Sequence, residues 1–348
     1  MPRHIAAAVL GTLVLASPAY AQPSAVDDQT CLACHGDPAL SLKLRDGATV
    51  SLHVPRNALA QSVHAKVACA DCHTGMAEVP HPERAFASRR DITAALDVQC
   101  RRCHFANYAK TLDSVHQPAV ARGDRTAPIC VDCHGAHDVK KPSTPRALVS
   151  RTCAKCHDGV ATAYARSVHG RALTQGNADV PICTDCHHAH DVAGPRRTEW
   201  ELRTPEMCGA CHANAALMGK YGLSTNVLST YLVDFHGKTA SLRRHQGAPT
   251  TGPVVARCTD CHGIHDIQKA RDPQSPVIKA NLLQMCRQCH AGAGDNFPDA
   301  WLSHYEPSLH KAPLVYAVKL GYAVVIPFMI GGLGLQILLH LWRLMANR

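Results

Sequence analysis

CTDCH, Cys183–His187, decides the fold: two cysteines sit one helical turn apart, and a histidine follows the second at once. The pattern recurs as CLACH (Cys31, Cys34, His35), CADCH (Cys69, Cys72, His73), CRRCH (Cys100, Cys103, His104) and CVDCH (Cys130, Cys133, His134). It continues as CAKCH (Cys153, Cys156, His157), CTDCH itself (Cys183, Cys186, His187) and CGACH (Cys208, Cys211, His212). The last two are CTDCH (Cys258, Cys261, His262) and CRQCH (Cys286, Cys289, His290), so the motifs absorb all 18 cysteines of the 348-residue chain.

Zinc ribbons also use C-x-x-C pairs, but they place no demand for histidine on the next position. Disulfides would leave nine histidines unexplained. C-x-x-C-H is the attachment signature of c-type haem: the thiols form two thioethers, and the histidine becomes the proximal iron ligand. The sequence therefore predicts nine covalent haem c groups.

The remaining histidines supply distal ligands. One recurrent context is a short turn ending in histidine: QSVHA (His64), DSVHQ (His116), RSVHG (His169), VDFHG (His236) and PSLHK (His310). A second follows a motif directly, in CHGAHD (His137), CHHAHD (His190) and CHGIHD (His265), with His81 in the same slot behind a longer spacer. A histidine three residues past a proximal ligand lies on that haem's proximal side, so it is expected to serve a neighbouring haem. One of His304 and His310 completes nine, and the choice between them stays open. His4, His53, His188, His245 and His340 are spare.

The second, fourth, sixth and eighth motifs read C-x-D-C-H, with Asp71, Asp132, Asp185 and Asp260; the other five lack this aspartate. The chain thus divides into two-haem units at about 31–81, 100–137, 153–190 and 208–265, with a ninth haem at 286–310. Between motifs it is rich in Pro and Gly, and helical signals are short, as in Ala210–Gly219 and Ile278–His290. With about 32 residues per haem, the porphyrins must supply the packed interior. The expected fold is mainly α with much irregular coil, an elongated array of two-haem repeats with little strand.

Both ends carry membrane signals. MPRHIAAAVLGTLVLASPAYA, residues 1–21, reads as a signal peptide with an A-x-A site, its apolar run too short for an anchor helix. Leu320–Leu341 is long enough for one transmembrane helix, and Pro327 and Gly331-Gly332 are tolerated in lipid. Arg343 and Arg348 beyond it predict a cytoplasmic tail. The expected layout is a periplasmic domain over 22–312 and an anchor over 313–348 in a bacterial inner membrane.

These residues resemble the multihaem cytochromes c with doubled C-x-x-C-H motifs, the cytochrome c3/NrfB-like group, from Cys31 to His290. The stretch from Trp301 to Arg343 looks like the tail of membrane-anchored multihaem subunits of cytochrome bc-type quinol oxidoreductase complexes. That resemblance implies an integral membrane cytochrome b, or a similar quinol-oxidising subunit, as partner, and a periplasmic electron acceptor or donor. It also favours His304 as distal ligand, whereas alignment of PSLHKA with QSVHAK favours His310. The expected function is an electron-transfer subunit without its own catalytic residues. The alternative is a reductase of nitrogen or sulfur oxyanions with one open haem.

The formal charge of +9 does not call for nucleic acid. Loss of Arg3 with the signal peptide leaves +8, and nine ferric haems at about −1 each bring the chain to about −1. The basic side chains are counter-charge for propionates. Aromatic residues are only 5% of the chain, which fits an interior built from cofactor.

Overall fold

The computed structural model describes residues 27–76, 78–82, 84–194, 198–246, 255–300 and 304–347. The predicted signal peptide lies outside them. The described chain is mainly helical, joined by turns and coil, with one antiparallel ribbon pairing Ser41–Lys43 with Thr49–Ser51. It forms two compact units, Met1–Phe105 with Pro128–Lys141, and Ala106–Ala127 with Pro142–Arg348.

The two kinds of motif occupy different ends of helices. Motifs without aspartate finish them: Asp28–His35, Arg89–Cys103, Ala147–Ala154, Thr204–His212 and Lys279–Arg287 all end in or within two residues of a second cysteine or its histidine. The C-x-D-C-H motifs begin their own short helices, Cys69–Cys72, Cys130–His134, Cys183–His187 and Cys258–His262. A helix that starts at the first cysteine has unpaired N–H groups in its first turn. The aspartate meets one of them, accepting from the N–H of Ala68 (3.2 Å), Ile129 (2.8 Å), Ile182 (2.7 Å) or Arg257 (2.8 Å). Its charge also suits the positive end of the helix dipole.

The next N–H is met from the partner helix. Asp28 accepts from the Cys69 N–H at 2.8 Å and Asp97 from the Cys130 N–H at 2.9 Å, each three residues before the leading cysteine of the preceding motif. In the first unit, Asp28–His35 packs on Cys69–Cys72, which packs on Arg89–Cys103, which packs on Cys130–His134. In the second unit, Ala147–Ala154 packs on Cys183–His187, and Thr204–His212 on Cys258–His262. Asp132→Ala is expected to cost about 1 kcal/mol, the usual worth of a helix cap. Thermal unfolding should move down by a few degrees, with cofactor content unchanged.

Three backbone bonds tie successive repeats. The valine N–H of each S-V-H turn donates to the carbonyl two residues past the trailing histidine of the next repeat: Val63 to Val139 (2.8 Å), Val115 to Val192 (2.9 Å) and Val168 to Ile267 (2.7 Å). Two tyrosines brace this arrangement. Tyr164 Oη donates to Pro181 O at 2.5 Å and Tyr231 Oη to Ala256 O at 2.9 Å, each acceptor two residues before a C-x-D-C-H motif. Burial pushes the Tyr164 hydroxyl up to about 12, so it stays a donor.

Ala210–Gly219 is not one helix. Thr204–His212 ends there, and Asn214 caps a new helix, Ala215–Gly219, by accepting from the Leu217 N–H at 3.1 Å. At the other end of the chain, Pro313–Ala346 is a 34-residue helix with Pro327 inside it, its apolar side chains exposed. It is long and apolar enough to cross a membrane.

Candidate haem-binding site

Each S-V-H turn is set by a buried hydroxyl two residues before the histidine. Ser62 and Ser114 accept from the N–H of His64 and His116 at 3.2 Å, and Ser167 accepts from the Gly170 N–H at 3.0 Å. Asp234 does the same for His236, accepting from the Gly237 N–H at 3.0 Å. All three serines are buried. The serine was visible in the sequence only as part of the recurring context; its part in orienting the histidine was not.

Trailing histidines leave their motifs through a sharp turn. The residue after the proximal histidine takes a positive φ, 75° at Gly135 and 79° at Gly263. His188, one of the spares, fills this position in the third repeat at φ 63°, so its place is in the turn.

Among the described residues, pairs of imidazoles face one another, each joining one motif histidine to one candidate, and eight of them are as follows. The ring centroids are 6.2 Å apart for His35–His81, 5.9 Å for His64–His104 and 5.9 Å for His73–His137. They are 6.2 Å for His116–His157, 6.3 Å for His169–His212 and 6.0 Å for His187–His265. The last two are His236–His290 at 6.3 Å and His262–His304 at 6.2 Å. Ordinary aromatic pairs spread over roughly 4.5–7 Å. A metal held between two trans imidazoles at about 2.0 Å from each nitrogen puts the centroids roughly 6.3 Å apart. The donor set, two histidines beside a pair of thiols, therefore fits residues that would hold a covalently attached haem.

The pairing follows a rule. Motifs three, five, seven and nine face the S-V-H-type histidine of the preceding repeat. Motifs two, six and eight face a histidine that trails the next motif but one or, for His304, the ninth motif. His35 faces His81 from its own repeat. His134 and His190 are the remaining motif and candidate histidines. The ninth motif's His290 faces His236, and His304 faces His262. His310 has no imidazole partner among the described residues. His245 ends the helix Phe235–His245, and His340 lies in the C-terminal helix.

Ring orientation and charge suit the same role. His35 Nδ1 lies 2.9 Å from Leu52 O and His187 Nδ1 2.9 Å from Ala193 O, which leaves Nε2 free on each ring. Burial lowers the pKa of His73, His116, His137, His212, His262, His265 and His304, and takes His169 down to about 4. Nearby imidazoles add to the effect at His73, His116, His169 and His262. Neutral rings keep the lone pair that a metal needs.

The leading thiols of paired motifs meet: Cys31 with Cys69, Cys100 with Cys130, Cys153 with Cys183, and Cys208 with Cys258. Asp97, Cys100 and Cys130 bring their ligand atoms within 4.8 Å of one another. Asp97 is already the cap of Cys130, and both cysteines belong to attachment motifs, so this cluster is the joint between two haem sites.

The family described as Cytochrome c3 matches residues 124–213, which hold motifs four to seven. The family described as Doubled CXXCH motif matches residues 252–295, which hold motifs eight and nine. Neither a curated protein nor a solved structure matches the chain. Motif content, fold and both matches define a covalent haem protein of the electron-transfer class. The chain is a multihaem cytochrome c of the doubled C-x-x-C-H type.

Proposed function

We propose that this chain is a membrane-anchored, periplasmic nonahaem cytochrome that relays electrons between the membrane quinol pool and soluble redox partners. The observation that carries it is the set of eight histidine pairs at 5.9–6.3 Å. Bound haem supplies one-electron chemistry at a potential that two imidazole ligands keep low. The chain's residues would do the rest: the motif cysteines would tether the group, the paired histidines would ligate its iron, and Ser62, Ser114, Ser167 and Asp234 hold the histidine turns. A site closed on both sides admits no substrate, which favours a relay over a reductase.

The helix Pro313–Ala346 supports the anchor. It offers one span of little volume for a quinol, so a polytopic cytochrome b-like subunit is the proposed donor. The purified full chain should contain nine haems, all low-spin in the ferric state. A menaquinol analogue should reduce them rapidly in membranes and slowly in the isolated subunit. A high-spin signal in the purified chain would favour the reductase, and rapid reduction of the isolated subunit would remove the need for a partner.

A further inference from the structure

The C-terminal helix carries a single polar line. Between Leu320 and Leu341 only Tyr322, Gln336 and His340 have N–H or O–H groups in their side chains. An α-helix turns about 100° per residue, so the three fall within an arc of roughly 40° on Pro313–Ala346. Gly332 lies one turn before Gln336, about 40° to the other side. A Cβ on it would meet nothing within 4 Å. The three polar side chains are exposed, and none has a hydrogen-bond partner among the described residues.

On a soluble helix water would satisfy such a line, but lipid tails cannot. Tyr322 and His340 stand near the two ends of the apolar run, within reach of headgroups. Gln336 precedes Leu341 by five positions, which puts it roughly 7 Å inside the run. An amide in hydrocarbon without a partner is costly, so its partner is another membrane-spanning segment.

The chemistry of the line selects the segment. A glutamine amide, a phenol and a neutral imidazole each offer both a donor and an acceptor, so none of them demands an ion or a one-sided partner. A second copy, inserted the same way round, brings the same groups to the same depths. Each can then meet its own counterpart across a two-fold axis. Gly332 lets the two backbones approach closely beside Gln336. Arg343 shares this face, but it lies past the run, where a long side chain reaches the headgroups.

We propose that two copies of this chain pair along Gly332, Gln336 and His340 as a parallel transmembrane dimer, a pairing that rests on the anchor reading above and on none of the haem assignments. It brings two haem domains to one patch of membrane.

The test places one new cysteine in the full, haem-loaded chain and oxidises it in membranes with copper phenanthroline. L339C, within about 20° of Gly332, should give a covalent dimer of this chain. L338C, about 160° from Gln336, should not, and neither should the parent. Adding Q336L to the L339C chain should cut the dimer yield several-fold and leave the haem spectrum unchanged. No dimer from L339C, equal dimer from both faces, or an undiminished yield with Q336L would overturn the proposal. Cross-linking of L339C to a different protein would also overturn it, giving the face to a partner subunit. Release of the chain from membranes by alkaline carbonate would strike the anchor reading, and the pairing with it.

Discussion

His304→Ala is expected to open one haem site in an otherwise closed chain, and to open it at the eighth motif rather than the ninth. His304 follows the ninth motif in sequence, yet its ring lies 6.2 Å from His262. The ninth motif's His290 faces His236 at 6.3 Å, more than fifty positions earlier in the chain. His304 is half-buried, and its Nδ1 lies 3.4 Å from Thr230 Oγ1, whose own proton goes to Asn226 O at 2.6 Å. The hydroxyl can thus accept from the Nδ1–H and turn Nε2 toward His262. Removing the ring leaves one axial position to water or an added ligand. Electron paramagnetic resonance should show one high-spin ferric centre, and the reduced protein should bind about one equivalent of carbon monoxide. His236→Ala should also give one open site, the double variant two, and His310→Ala none. An open site in the His310 variant and none in the His304 variant would reverse the assignment.

The attachment half of each site was legible in the sequence because its chemistry is local. Two thioethers and a proximal ligand must come from five consecutive residues, so the motif shows itself. The distal half is supplied from tens of residues away, and nothing in a histidine's neighbours names its partner. The choice is made by backbone bonds such as Val63 N–H to Val139 O and Val168 N–H to Ile267 O, which carry no side-chain signature. Internal alignment favoured His310 on its resemblance to the S-V-H turns, whereas the ring that faces a motif histidine is that of His304. The alternating aspartates were readable as a mark of the repeat. Their physical reason, a cap for helices that begin at cysteine, needed the helix boundaries. Asn214 broke an apparent helix for the same kind of reason: a side chain that accepts from the backbone starts a new helix where apolar spacing alone suggests continuation.

A chain made without haem is expected to remain unfolded outside its C-terminal helix. Eleven apolar side chains are buried among the described residues, and the one cluster they form is Tyr231, Ala240 and Val255, with Leu232 against it. Each buried apolar side chain contributes about 1.5–3 kcal/mol. Ordering each residue's backbone costs about 1–2 kcal/mol, over a chain of some three hundred residues, so this burial falls far short. The helices do not close the gap. Those starting at the aspartate motifs have four or five residues, well below the ~12–15 at which an isolated helix becomes marginal in water. The apolar residues that could cover a porphyrin sit beside the distal histidines and are exposed: Val63 before His64, Val115 before His116, Phe235 before His236 and Ile264 before His265. They are placed to pack on cofactor rather than on one another. Expressed in a host without haem-attachment machinery, the chain should show little helix by circular dichroism beyond the membrane segment. It should also be digested rapidly across all its repeats, while the haem-loaded chain resists. A helical, cooperatively melting haem-free chain would show that polypeptide contacts alone suffice.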